Sequence, residues 1–140
     1  MLLLCLVHMA VAKEKAVKLL IAPRSLELPA SGKVVLDVYW HNWTDKPATI
    51  PALDTYSVQS SIIVPGREEV SGGTTGRAID HPAPDRTIPP HGFIHDTITA
   101  DVDLSDTKVL KPKYIVEVSL SVTGEHGQEF ESNTVVLTRK

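Results

Sequence analysis

Five stretches of the chain alternate apolar and polar residues with a period of two, the signature of strands buried on one face. In residues 114–122 (YIVEVSLSV), Tyr114, Val116, Val118, Leu120 and Val122 share one face, and Ile115, Glu117, Ser119 and Ser121 the other. In residues 33–43 (KVVLDVYWHNW), Val34, Leu36, Val38 and Trp40 fall together, opposite Val35, Asp37, Tyr39 and His41, with Trp40 as the natural core anchor. Val17, Leu19 and Ile21 alternate with Lys18 and Leu20 up to Pro23, and residues 25–29 continue as a short edge piece ended by Pro29. Residues 56–64 (YSVQSSIIV) form a fourth strand. Residues 93–104 (FIHDTITADVDL) form a fifth, with Ile94, Ile98, Ala100, Val102 and Leu104 inward and the Asp and Thr residues outward.

Shorter elements complete the pattern. ATIPAL at 48–53 is a brief strand interrupted by Pro51. The turn GEHG at 124–127 returns the chain through SNTVVLT at 132–138, which makes a terminal hairpin with residues 114–122. No segment keeps a 3.6-residue apolar period for three turns, because ten prolines and eight glycines interrupt it. The expected fold is therefore all-β, an antiparallel sandwich of about seven strands. Residues 65–92 stand apart, with five glycines, five prolines and few apolar residues. They are expected to form one long Pro/Gly-rich loop with room for a short hairpin around 71–76.

The N-terminus changes the compartment. Residues 2–12 (LLLCLVHMAVA) are too short for a transmembrane helix of about 20 residues. They fit the core of a signal peptide, although no basic residue precedes them. Ala10-Val11-Ala12 supplies the small-x-small cleavage pattern, so residues 1–12 are expected to be a signal peptide and 13–140 a single domain. The alternative for LLLCLV is a buried first strand. Cleavage after Ala12 would leave a periplasmic or secreted protein without a stable membrane anchor. It would also remove Cys5, the only cysteine, and with it disulfides, thiol catalysis and thiolate metal sites. The net charge of −3 comes from interspersed acids and bases with no basic stripe, which argues against nucleic acid as a partner.

Candidate chemistry is sparse. There is no G-x-S-x-G elbow, and SGGTTG at 71–76 lacks the lysine and helix of a phosphate loop. Asp101, Asp103 and Asp106 read as a solvated face, since a calcium site needs a loop with a glycine bend and more oxygen ligands, whereas Asp80, Asp85 and Asp96 could join such a site in the long loop. The expectation is no catalytic residue, no cofactor and no enzyme. His81, His91 and His95 are the weak metal candidates. Pro89, Pro90 and Gly92 forbid the helix that would bring His91 and His95 together, and on a strand residues four apart stand about 13 Å apart. Asn42-Trp43-Thr44 matches a glycosylation acceptor and is read as chance.

GKVVLDVYWHNWTDKPATI, with its N-x-T-D-K-P turn, IPPHG followed by TADVDLS, and KPKYIVEVSLSV with the later SNTVVLT together resemble bacterial extracytoplasmic immunoglobulin-like domains, over roughly residues 25–138. The turn is also similar to that of small bacterial proteinase-inhibitor sandwiches. The resemblance implies an immunoglobulin-like β-sandwich and makes Tyr114 a "tyrosine corner" whose hydroxyl bonds upstream backbone. The function expected is an exported binding or structural module that meets another protein or a glycan. Trp43, Tyr56, Arg67, Arg77, Arg86 and Phe93 are the candidate anchors, since aromatic and Arg side chains dominate interfaces. Alternatively the chain is a proteinase inhibitor presenting the 65–92 loop with Arg67 or Arg77, or a periplasmic metal-binding protein using loop histidines.

Overall fold

A computed structural model describes residues 15–64, 69–81, 83–104, 114–124 and 126–139. Residues 1–12 and Arg67 lie outside them, and so does the proposed cleavage site. Ten strands occur among the described residues: β1 (Val17–Pro23), β2 (Lys33–Asn42), β3 (Ala48–Ile50), β4 (Tyr56–Ile63), β5 (Glu69–Arg77), β6 (Arg86–Ile88), β7 (Phe93–Asp101), β8 (Ile115–Thr123), β9 (Glu129–Glu131) and β10 (Val135–Thr138). They form three antiparallel sheets, ordered β1-β2-β7, β10-β8-β4-β5 with β9 also on β8, and β3-β6. The fold is all-β, with ten strands rather than about seven.

The alternating faces meet as their parity dictates. Val34, Leu36, Val38 and Trp40 of β2, Val116, Val118, Leu120 and Val122 of β8, and Val58 and Ile62 of β4 share one core with Val17, Leu19 and Ile21 of β1. Trp40 crosses between the sheets and meets Phe130 of β9 edge-on, with ring centroids 5.3 Å apart. The hairpin turn after β8 uses Gly127 at φ 72°, and Gly124 N–H donates to Gln128 O at 2.7 Å. Gly32 before β2 is also obligatory. Its φ is 74°, and a Cβ there would lie 2.4 Å from Val102 O.

Two expectations need correction. Residues 65–92 are not one long loop, because Ser71 to Gly76 lie within β5, paired to β4 from Ile62 to Ser57, and β6 pairs with β3. A strand of Ser, Gly and Thr has no apolar alternation to reveal it. It forms because β4 offers a free row of backbone partners. The Tyr114 hydroxyl accepts from Arg139 Nη1 at 3.1 Å, and residues 105–113, the backbone just upstream where a tyrosine corner would find its partner, lie outside the described residues. Asp96 does not face outward. It occupies the inward parity of β7, where Arg86 donates to it twice (3.0 and 2.8 Å) and Trp40 Nε1 once (3.1 Å).

Side-chain amides stitch the sheets where the ladders break. Between β9 and β10, Asn133 accepts from Ile21 N–H at 2.8 Å and donates to Ile21 O at 3.1 Å, mimicking a strand rung onto β1. After Pro23 the chain leaves the first sheet, and Leu28 N–H and Thr138 N–H exchange bonds with Thr138 O and Leu26 O. Asn42, fully buried, holds the corner where three connections converge. Its Nδ2 donates to Lys46 O (2.7 Å), Pro89 O (3.1 Å) and Ile88 O (3.2 Å). Its Oδ1 accepts from the N–H and hydroxyl of Thr44 at 3.0 and 2.8 Å. That amide is fully engaged and shielded, so the folded chain offers no acceptor at the Asn42-Trp43-Thr44 sequon. Asn42→Ala strands several buried partners and is expected to lower the urea-unfolding free energy by about 2–4 kcal/mol. A loss below about 0.5 kcal/mol would contradict this role for the corner.

Candidate functional site

The parity that buries one face of β1, β2 and β7 sends the other to solvent. Strand pairing arranges the outward residues in rows: Lys18, His41 and Phe93; Leu20, Tyr39 and His95; Ala22, Asp37 and Thr97. Two rows are aromatic across β2 and β7. His41 and Phe93 stack with centroids 4.1 Å apart and planes within 5°. Tyr39 and His95 stack at 4.9 Å and 14°. Phe93 is 65% exposed, Leu20 42% and Tyr39 36%. These large apolar side chains lie open to solvent on one face of a three-stranded sheet. Trp43 closes one end of the face. Its Nε1 donates to Lys15 O at 2.7 Å, and the Lys18 ammonium stands 5.7 Å from its ring.

A charged cluster pins the third row. Arg24 donates to both Asp37 oxygens, at 3.2 and 3.1 Å. His95 Nε2 lies 2.9 Å from Asp37 Oδ1, and the Thr97 hydroxyl donates to the same oxygen at 3.2 Å. The hydrogen bonds from Arg24 and then His95 hold the Asp37 carboxyl down at about 2, and the Asp37 hydrogen bond raises Arg24 in turn. His95 is thereby fixed at one end by a carboxylate and along its face by Tyr39.

The predicted site residues divide between two places. Phe93 and Trp43 belong to the outer face. Tyr56, Arg77 and Arg86 line an open cleft on the far side of β7, together with Asp96, Thr97 and Thr99. Within that group Arg86 is committed to Asp96 and serves as an internal clamp. Arg77 ends β5 opposite Tyr56, so it sits in a paired strand and not on a protruding loop of the kind a protease cleft accepts. The histidines separate as well: His91 Nε2 lies 2.7 Å from Asp45, His95 binds Asp37, and His81 is exposed. Among the described residues no group of three or more His, Cys, Asp or Glu side chains is placed to hold a metal ion. Leu20, Tyr39, His41, Asp37 and Arg24 went unnamed as site residues. The signal for them was present, since Leu20 and Tyr39 are bulky residues at outward positions of otherwise alternating strands.

The depressed Asp37 carboxyl gives a pH dependence with a definite sign. A carboxyl lowered on folding adds stability above its unfolded value near 4. That contribution disappears as pH falls from about 4 to about 2. Asp37→Asn is therefore expected to be less stable than the parent in urea at pH 6, with the gap closing by pH 2. A gap unchanged across that range would contradict the assignment.

No family model matches the chain, and no characterised protein sequence matches it. Among solved structures it is similar to Spo0M, the sporulation control protein of Bacillus subtilis, at 17% identity and a TM-score of 0.55. That similarity covers 91% of this chain and 50% of the Spo0M chain. Weaker matches are a structural-genomics target (15% identity, TM-score 0.42, 90% of this chain and 88% of that one) and the Pseudomonas fluorescens alkylpurine DNA glycosylase AlkC bound to abasic-site DNA (10%, 0.43, 89% and 30%). The chain spans half the length of Spo0M, and what the two share is a fold.

Proposed function

We propose that the chain is an exported, non-catalytic binding module on an immunoglobulin-like β-sandwich, which meets a protein or glycan partner through the outer face of β1, β2 and β7. Strand order supports the architecture. Taking β1, β2, β4, β5, β7, β8 and β10 as strands A, B, C, C′, E, F and G gives one sheet ABE and another GFCC′. The strands β3, β6 and β9 are then additions to a seven-strand plan. The apolar run at residues 2–12 and its small-x-small end support export.

The observation that carries the binding role is the pair of stacked rows, with Phe93 65% exposed at their rim. Rings held by stacking lose little rotamer freedom on docking, which makes them economical anchors. Immobilised parent protein and Phe93→Ser are to be compared in capture from the extracytoplasmic fraction of its source and on a glycan array. The parent is expected to retain a partner that Phe93→Ser binds at least about tenfold more weakly, with an unchanged melting temperature. Equal capture by both proteins would remove the outer face as the contact.

A further inference from the structure

We propose that the free edge of β7 is a second binding site, which takes an extended peptide as an added strand and reads an Asp or Glu side chain on it. Among the described residues β7 ends the order β1-β2-β7, so alternate residues turn their N–H and C=O groups away from β2. Two hydrogen bonds fix which ones. Val102 N–H donates to Gly32 O on the β2 side at 2.8 Å, whereas Asp101 O accepts the Thr75 hydroxyl from β5 on the opposite side. The odd-numbered residues, Thr97 and Thr99 among them, hold the free edge.

β5 touches β7 where Thr75 meets Asp101. Beyond that contact the edges of the two sheets part around a cleft of about 490 Å³. Thr97 and Thr99 line one side, Tyr56 and Arg77 the other, and Arg86 and Asp96 are also exposed to it. The charges in the cleft are unequal in their commitments. Arg86 and Asp96 neutralise each other, and the Asp54 carboxylate accepts Ala83 N–H at 2.7 Å. The Arg77 guanidinium and the neighbouring Tyr56 hydroxyl, register partners on β5 and β4, have no hydrogen-bond or ion-pair partner among the described residues. A strand laid along β7 finds its backbone partners on Thr97 and Thr99. A carboxylate on its cleft side meets two unused donors, a guanidinium and a phenol. The neutral Thr residues carry no charge to repel such a strand, and no proline blocks it.

The test is an NMR titration of the chain with two capped decapeptides of alternating Ser and Val, one with a central Glu and the other with Gln. The Glu peptide is expected to move the amides of Thr97 and Thr99 and to bind about tenfold more tightly than the Gln peptide. Arg77→Gln is expected to abolish that preference while the Gln peptide binds as before. Phe93→Ala is expected to leave both affinities unchanged, which separates this site from the outer face. Equal affinities for the two peptides, shifts confined to the outer face, or no shift at millimolar peptide would each overturn the proposal.

Discussion

The Asp96 carboxylate sits on the inward side of β7, where alternation reserves a place for an apolar residue, and its neutralisation constrains everything around it. An unpaired carboxylate there would be costly to bury. Arg86 meets both oxygens and Trp40 adds an indole N–H, so one short strand, the central tryptophan and the edge strand β7 are tied at a single point. A pair of this kind adds little net stability over an apolar replacement, but breaking one half is expensive. Its structural consequence is register. β6 must present Arg86 at Asp96, and β6 in turn holds β3 and the turn that Asn42 closes.

β7 consequently works in three directions. Its even-numbered side chains face the core and the clamp. Its odd-numbered side chains stand on the outer face, where Phe93 and His95 stack on β2 and Thr97 joins the Asp37 cluster. Its free backbone row opens on the cleft beside Arg77. The two surfaces differ in chemistry. The outer face is aromatic and apolar with one tightly held carboxylate, and the edge offers hydrogen-bond donors and an uncommitted cation. A single strand can serve both because side chains and backbone point along perpendicular axes in a sheet.

How much of this was legible follows from what each residue depends on. β1, β2, β4, β7 and β8 could be read because hydrophobic burial writes a period of two into the sequence. β5 could not, since Gly72, Gly73 and Gly76 contribute backbone pairing and no alternation. β6 and β9 are three residues each, too short to show a period. Asp96 could be placed inward by counting from Ile94 and Ile98, but charge suggested the reverse, and its partner Arg86 is remote from any pattern in the sequence. Asn42 was visible as the first residue of a sequon and of the N-x-T-D-K-P turn, but not as a corner, because two of the carbonyls it holds are more than forty residues away. Among the candidate anchors, Phe93 and Trp43 were recognisable as aromatic residues at strand ends. Leu20 and Tyr39 required the further step of asking which bulky residues face water.

Residue-resolved amide hydrogen exchange along β7, read together with the Trp40 indole proton, tests the central claim most directly. A strand clamped inside and open at its edge predicts slow exchange at Trp40 Nε1 and at the amides of Asp96, Ile98 and Ala100, which face β2. It also predicts fast exchange at His95, Thr97 and Thr99. Uniform protection of both sets would contradict the free edge, and rapid exchange of the Trp40 indole would contradict the clamp.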